Sequence, residues 1–444
     1  MKDGPHFSRK LPGASLALLA MLTASHAHAA ETVALNAANT SWVLTSTALV
    51  LFMTLPGLAL FYGGLVRTRN VLSILMQCFA IACLVSVAWF FIDYSLAFGD
   101  GGALKAFWGG LGKAFLLGIS PTSLSNDIPE TVFVMFQMTF AIITPALVIG
   151  GFAERTRFSA VLLFSVLWVT IVYAPICHWV WGGGWLQEMG FMDFAGGAVV
   201  HINAGIAALV SALLIGNRRG FPKTPMMPHN MTMVFTGAAM LWVGWFGFNA
   251  GSALAANGNA GMAMLVTHIG AATGSLAWMT MEWVRHGKPS ILGIVTGMVA
   301  GLGTITPASG FVGPIGAAVI GSSAGWACYW FTQLIKQRLK IDDSLDVSPV
   351  HGVGGILGTL LTGVFASPML GGSGFASGGS MSHQLLIQSL GIVATLAWSG
   401  VLTFVILKII DGMVGLRADR DQESEGLDLA FHDEKGYNFD SGSF

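Results

Sequence analysis

Apolar residues gather in long runs, and polar ones are confined to the stretches between them. Crossing a bilayer takes about 20 predominantly apolar residues. Runs of that kind occur near 41–64, 71–98, 130–152, 158–177, 195–215, 230–252, 261–283, 290–308, 311–333, 348–366 and 384–410. The pattern predicts an all-α polytopic membrane protein with eleven transmembrane helices.

The amino terminus has a different grammar. Residues 1–29 combine a basic start (Lys2, Arg9, Lys10), the short apolar run LPGASLALLAMLT and the small-residue ending Ala27-His28-Ala29. This three-part pattern predicts a cleaved signal peptide, cut before Ala30, and a mature chain that starts outside the cytoplasm. The charges agree with that orientation. With an outer start, sixteen Lys and Arg fall at the inner ends of helices, on inner loops or in the carboxyl-terminal tail, and only Lys105 and Lys113 lie outside. The positive-inside rule therefore also predicts an outer amino terminus and a cytoplasmic carboxyl terminus.

Composition narrows the class. The chain has 444 residues, 54% hydrophobic and 10% charged, against about 25% charged in soluble domains. A net charge of −1 offers no basic surface to nucleic acid. The 58 glycines follow no Gly-X-Y period and fit helices packed closely through small residues. Cys78, Cys83, Cys177 and Cys328 form neither a CxxC pair nor a metal-spaced cluster, so no disulfide framework, metal or cofactor is expected. Without HExxH or a nucleophile constellation, an enzyme is not expected either.

Two halves of opposite direction are suggested, spanning about 41–215 and 230–366, with 384–410 as an extra helix. The first helix carries Gly57, Phe61 and Gly64, and the sixth carries Gly244, Phe248 and Gly251 at the same spacing. The last helix of each half holds a histidine after an aspartate: Asp193 then His201, and Asp346 then His351. Ionisable groups within the bilayer are costly and mark functional sites by default. A neutral imidazole offers both an N–H and a lone pair, which suits a small polar solute or a proton. His268 has no repeat counterpart and reads as a packing residue, whereas His178, His229, His286 and His383 fall near helix ends, where water contact suffices to explain them.

Aromatics cluster around what is expected to be the outer mouth: Trp181 in WVWGGGW, Phe136 and Phe140 in VMFQMTF, and Trp245, Phe246 and Phe248 in GWFGFNAGS. Ring faces attract a compact cation, and Ser252 can accept a hydrogen bond from one that carries hydrogens. A potassium or sodium channel is disfavoured, since there is neither a carbonyl filter motif nor an acidic ring.

These residues resemble the Amt/Mep/Rh ammonium transporter family, in particular its bacterial Amt-type members. The likeness covers about residues 40–440 through FYGGLVR, AERTRFSAVL, WGGG, DFAGG, VVHINAG, GWFGFNAGS, VHGVGGILG and EGLD. It implies a homotrimer in the bacterial inner membrane with one hydrophobic pore per protomer. Trp181, Phe136 and Ser252 are then the outer ammonium recruitment site, Phe140 and Phe248 the stacked gate, His201 and His351 the twin-histidine pair, and Trp245 a pore-lining residue. Asp193 supports the outer site by capping backbone groups. Residues 30–411 become the membrane domain and 412–444 a cytoplasmic regulatory tail that docks on a neighbouring protomer. A PII-type nitrogen-regulatory protein is the partner expected on the cytoplasmic face. One departure is Met138-Thr139, where the family often has small residues, a change expected to alter the width of the vestibule.

The expected mechanism follows from comparing ammonium with potassium, which is similar in size and charge but has no proton to give. Recruitment, deprotonation beyond the gate, passage as ammonia and a separately relayed proton would together be electrogenic. The alternative is an ammonium sensor acting through its tail with little flux.

Overall fold

The computed structural model describes residues 34–376 and 378–438 together with Met1. Apart from Met1, the expected signal peptide lies outside the described residues. Among these, eleven long helices form: α1 (Ala37–Leu65), α2 (Thr68–Phe98), α3 (Glu130–Phe152), α4 (158–181), α5 (Gly197–Ile215), α6 (Met231–Gly251), α7 (Gly258–His286), α8 (Ile291–Ala308), α9 (314–338), α10 (Ser348–Phe365) and α11 (Met381–Val414). Ten helices are long and apolar enough to cross a membrane. The span expected at 311–333 is α9, which is helical yet is not among those ten. Its glycines, Ser322, Ser323, Thr332 and Gln333 dilute its hydropathy.

Glycine lets these helices touch backbone to backbone, the packing that small residues permit in a bilayer. On α7, Gly270 and Gly274 meet Gly301 and Gly297 of α8 and Gly321 and Gly325 of α9, where an added Cβ would strike main-chain atoms. Helices α1 and α6 lie against each other through Gly57 and Gly244, the positions matched by the repeat. At the centre α5 crosses α10 so closely that a Cβ on Gly205 would collide with the Cα of Gly352. That crossing brings the two histidines together.

Six of the helices contain a π-helical turn, and two of these turns carry the histidines: 197–202 holds His201 and 348–353 holds His351. π-Turns often mark functional positions because they re-aim side chains within a helix. Asp193 lies before α5 and accepts hydrogen bonds from the N–H groups of Gly196, Gly197, Ala198 and Val199. Its counterpart before α10 is Asp343, not Asp346 as the sequence suggested. Asp343 accepts from the N–H groups of Val347 and Ser348 and from the Ser348 hydroxyl. Asp346 turns away with φ +60° and pairs with Lys336.

The opposite end of the bundle from Asp193 is closed by an ionic network and the tail. Arg218 bridges Glu154 and Asp342, and Arg67 also pairs with Glu154. Arg155, fully buried, donates to the carbonyls of Ala153, Gly151, Gly216 and Asp342 and to Ser344 Oγ. Burial alone pushes the Glu154 carboxyl up, but Arg218 and then Arg67 overcome it and hold it below the usual carboxylate range. Asp342 follows the same pattern, with Arg218 outweighing burial. Burial brings the Arg155 guanidinium down to about 10.

The tail forms α12 (Arg420–Glu425) and α13 (Leu427–His432) and lies along its own chain. Arg417 pairs with Glu423, which also accepts from the Arg219 N–H. Asp428 accepts from the N–H groups of Leu72 and Ser73, and so caps α2 from outside that helix. Within the chain, the tail docks onto the chain's own loops.

Candidate functional site

Along α3, Glu130, Phe133, Phe136 and Phe140 line one side of a cavity of about 410 Å³, called the outer cavity after the orientation expected from the sequence, and Trp181, Phe194 and Ser252 line others. A short antiparallel pair, β1 (Leu124–Ser125) with β2 (Ile128–Pro129), leads into α3 at its rim. Phe136, Phe140 and Trp181 form a connected set, with Phe140 centroids 5.0 Å from Phe136 and 5.7 Å from Trp181, both edge to face. The Trp181 indole N–H donates to the Asp193 carbonyl at 2.8 Å, so one aspartate holds both the start of α5 and the indole. Ser252 donates to the Phe248 carbonyl at 2.8 Å, leaving its lone pairs for another donor.

Below this cavity Phe140 and Phe248 lie 4.3 Å apart at 35°. Both rings are buried, Phe140 lining the cavity above and Phe248 the one below. Beneath them is a narrow lumen of about 10 Å³, lined by Phe248, Trp245, His201, His351, Phe61, Tyr62 and aliphatic side chains. A cavity that size holds about one water-sized molecule at most. The histidine Nδ1 atoms are 3.1 Å apart and the rings nearly parallel at 21°. Trp245 stacks on His201 at 5.6 Å and is fixed by an indole hydrogen bond to Thr306 Oγ1 at 2.9 Å. His201 Nε2 is buried with no hydrogen-bond partner among the described residues. His351 also lines a third cavity of about 200 Å³, with Tyr62, Glu282, Lys336 and Asp346.

Of the residues singled out from the sequence, Trp181, Phe136, Ser252 and Phe140 line the first cavity, Phe248, Trp245, His201 and His351 line the second, and Asp193 holds the Trp181 indole, whereas Phe246 lines neither and packs against His268. Met138 and Thr139 do not line the outer cavity, and the Thr139 hydroxyl is turned back onto the Phe136 carbonyl. His268 packs against Trp242 and Phe246, as a packing residue should. His178 is different from expectation: it is buried, and its ring nitrogens lie 2.8 Å from the Ala97 carbonyl and 2.6 Å from the Lys105 carbonyl, pinning the outer loop. Tyr94, Lys113, Glu130 and Gln137 also line the outer cavity and were not singled out from the sequence.

Residues 41–437 match the model of the Ammonium Transporter Family. An ammonium transporter of Aquifex aeolicus is 46% identical, the alignment covering 95% of this chain and 98% of the relative. One of Bacillus subtilis is also 46% identical, over 88% and 96%. Among solved structures, a sensor Amt protein superposes with a TM-score of 0.83 at 30% identity, covering 89% of this chain and 98% of that one. Saccharomyces cerevisiae Mep2 superposes with a TM-score of 0.79 at 37% identity, over 87% and 91%. An aromatic mouth, a buried ring pair and a histidine-lined lumen occur here on that shared fold, and the chain belongs to the ammonium transporter family.

Proposed function

We propose that this chain moves ammonium nitrogen across the membrane as ammonia, through a pore contained within each protomer. The observation that carries this reading is the unpartnered Nε2 of His201, a residue that lines a mostly apolar lumen beneath the Phe140–Phe248 ring pair. Ammonium is recruited by the faces of Trp181 and Phe136 and by the Ser252 hydroxyl. Beyond the ring pair one N–H bond breaks, its electron pair stays on nitrogen, and the proton passes to His201 Nε2. The Nδ1 contact hands a proton on to His351, which releases one towards water in the third cavity, so charge moves as well as ammonia. Potassium has no proton to give and is left outside.

We read α1–α11 as eleven crossings with the amino terminus outside and the tail in the cytoplasm, in the inner membrane of a bacterium, and the assembly as a homotrimer. The inner face around Arg67 and Arg69 is the surface proposed for a PII-type regulator. Transport rather than an enzymatic reaction is the activity proposed. A second reading, ammonium sensing with little flux, is favoured by the tail's tight docking on the inner ends of the helices and by the likeness to a sensor Amt protein. Recording membrane current and internal pH together on an ammonium jump in proteoliposomes separates the two. Transport predicts a current with ammonium and none with potassium; silence in both channels would favour the sensor.

A further inference from the structure

Three charged or polar residues at the rim of the outer cavity take no part in the recruitment site. Tyr94 lies near the end of α2, Lys113 in the loop that follows, and Glu130 at the first turn of α3. The Tyr94 hydroxyl donates to Glu130 Oε1 at 2.9 Å, and Lys113 Nζ donates to the same oxygen. Lys113 Nζ also lies 5.7 Å from the Tyr94 ring centroid. The position of the lysine is set by its backbone, whose N–H donates to Ser95 Oγ at 2.9 Å, while that hydroxyl donates to the Gly110 carbonyl. Glu130 has a side chain only 9% exposed, against 36% for Lys113.

The lysine head group is a primary alkylammonium. With Glu130 and Tyr94 it makes an ion pair and a cation–ring contact, the two kinds of contact a small ammonium ion would make there. The cavity leaves room for a second cation, since its roughly 410 Å³ far exceeds the space of one small ion. Glu130 precedes Phe136 by six residues, which is about 9 Å along the helix axis. That is comparable with the Debye length of physiological solution, so the carboxylate acts on a cation at the aromatic rings unless Lys113 cancels it. Gln137, 7% exposed, lines the same cavity, and its Oε1 has no partner among the described residues, leaving an acceptor free on the same helix.

We infer that Glu130 is an outer binding site for small ammonium-type cations and that Lys113 occupies it as a tethered competitor, the pair setting the concentration at which the outer cavity fills. This deepens the recruitment reading above and rests on it. The full chain in proteoliposomes gives half-saturating ammonium from transient currents, and the purified full chain gives binding of radiolabelled methylammonium displaced by ammonium. At low ionic strength Lys113→Met is expected to lower both values about fivefold and Glu130→Gln to raise them by a similar factor, the scale of one partly screened charge pair. Lys113→Arg should keep the wild-type value, and the Lys113→Met effect should shrink as a bulky organic salt is added. Lys113→Gln replaces Lys113→Met if the latter does not fold. Unchanged binding in both Lys113→Met and Glu130→Gln, or weaker binding in Lys113→Met, overturns the inference. A wild type that binds but does not conduct defeats the transport reading instead, and the binding series still decides this one.

Discussion

On the face read as inner, Glu154 and Asp342 have fully buried carboxylates, and both oxygens of each accept from nearby donors, most of them on Arg67 and Arg218. In the lumen, His201 is equally buried, yet one ring nitrogen has no partner among the described residues. Both regions remove polar groups from water, which is costly unless the groups are satisfied. The inner face offsets that cost with paired charge and becomes a fixed plate on which the tail docks. The lumen leaves it partly unmet and so keeps a place for a small solute. The contrast lies in the acceptors: every carboxylate oxygen of Glu154 and Asp342 has a donor, although Arg67 Nη2 has no partner among the described residues, whereas His201 leaves a ring nitrogen unpartnered beside the lumen, where we propose the transport chemistry.

Breaking the paired region should have the largest effect. Arg218→Met strands Glu154 and Asp342, and loss of one partner from a buried network costs about 3–5 kcal/mol, read as a lowered unfolding midpoint in detergent. Next come the two aspartate caps. Asp193→Asn and Asp343→Asn each remove a charged acceptor from a helix start, with about 1–3 kcal/mol expected for each. Equal losses of stability would show that both act as caps, and a greater loss of flux in Asp193→Asn would show that the Asp193 cap also sets the position of the main-chain carbonyl that accepts from Trp181. In the lumen, Trp245→Phe removes the hydrogen bond to Thr306 while keeping a ring beside His201, a loss of about 1 kcal/mol in the same assay. Smallest is Glu188→Gln, which breaks an exposed pair with Lys105 and is expected to cost about 0.5 kcal/mol or less.

Acid sharpens the same comparison. The folded pKa values of Glu154 and Asp342 lie below the ordinary range. Their contribution is therefore fully present above the unfolded value of about 4 and is lost only as pH falls through the lower folded values. Protease protection of the tail should accordingly show no loss from these groups between neutral pH and about 4.5, and should fall only in stronger acid.

Much of this was legible in the chain. Apolar runs located the helices because bilayer thickness fixes their length. α9 shows where that signal weakens: its glycine and serine content serves packing against α7, at the expense of hydropathy. His201 and His351 stood out as bilayer-buried ionisable groups at matching repeat positions. Asp343 was overlooked in DDSLD because Asp346 is nearer to the histidine. Spacing was the available clue, since Asp343 stands as far before His351 as Asp193 does before His201. The inner network was hidden by an explanation that already sufficed. Arg67, Arg155 and Arg218 satisfied the positive-inside rule, and their pairing with Glu154 and Asp342 depends on loops far apart in sequence. The vestibule cluster of Tyr94, Lys113 and Glu130 was likewise invisible, because three separate segments supply it.

The central claim is that the histidine pair takes and relays the proton of ammonium. Its most direct test is the transient current evoked by an ammonium jump, with potassium as control, in the wild type and in His201→Ala combined with His351→Ala. The account predicts an ammonium-only current in the wild type that disappears or becomes permeable to potassium in the double variant. A double variant with an undiminished, ammonium-selective current, or a wild type that shifts internal pH without any current, would contradict it.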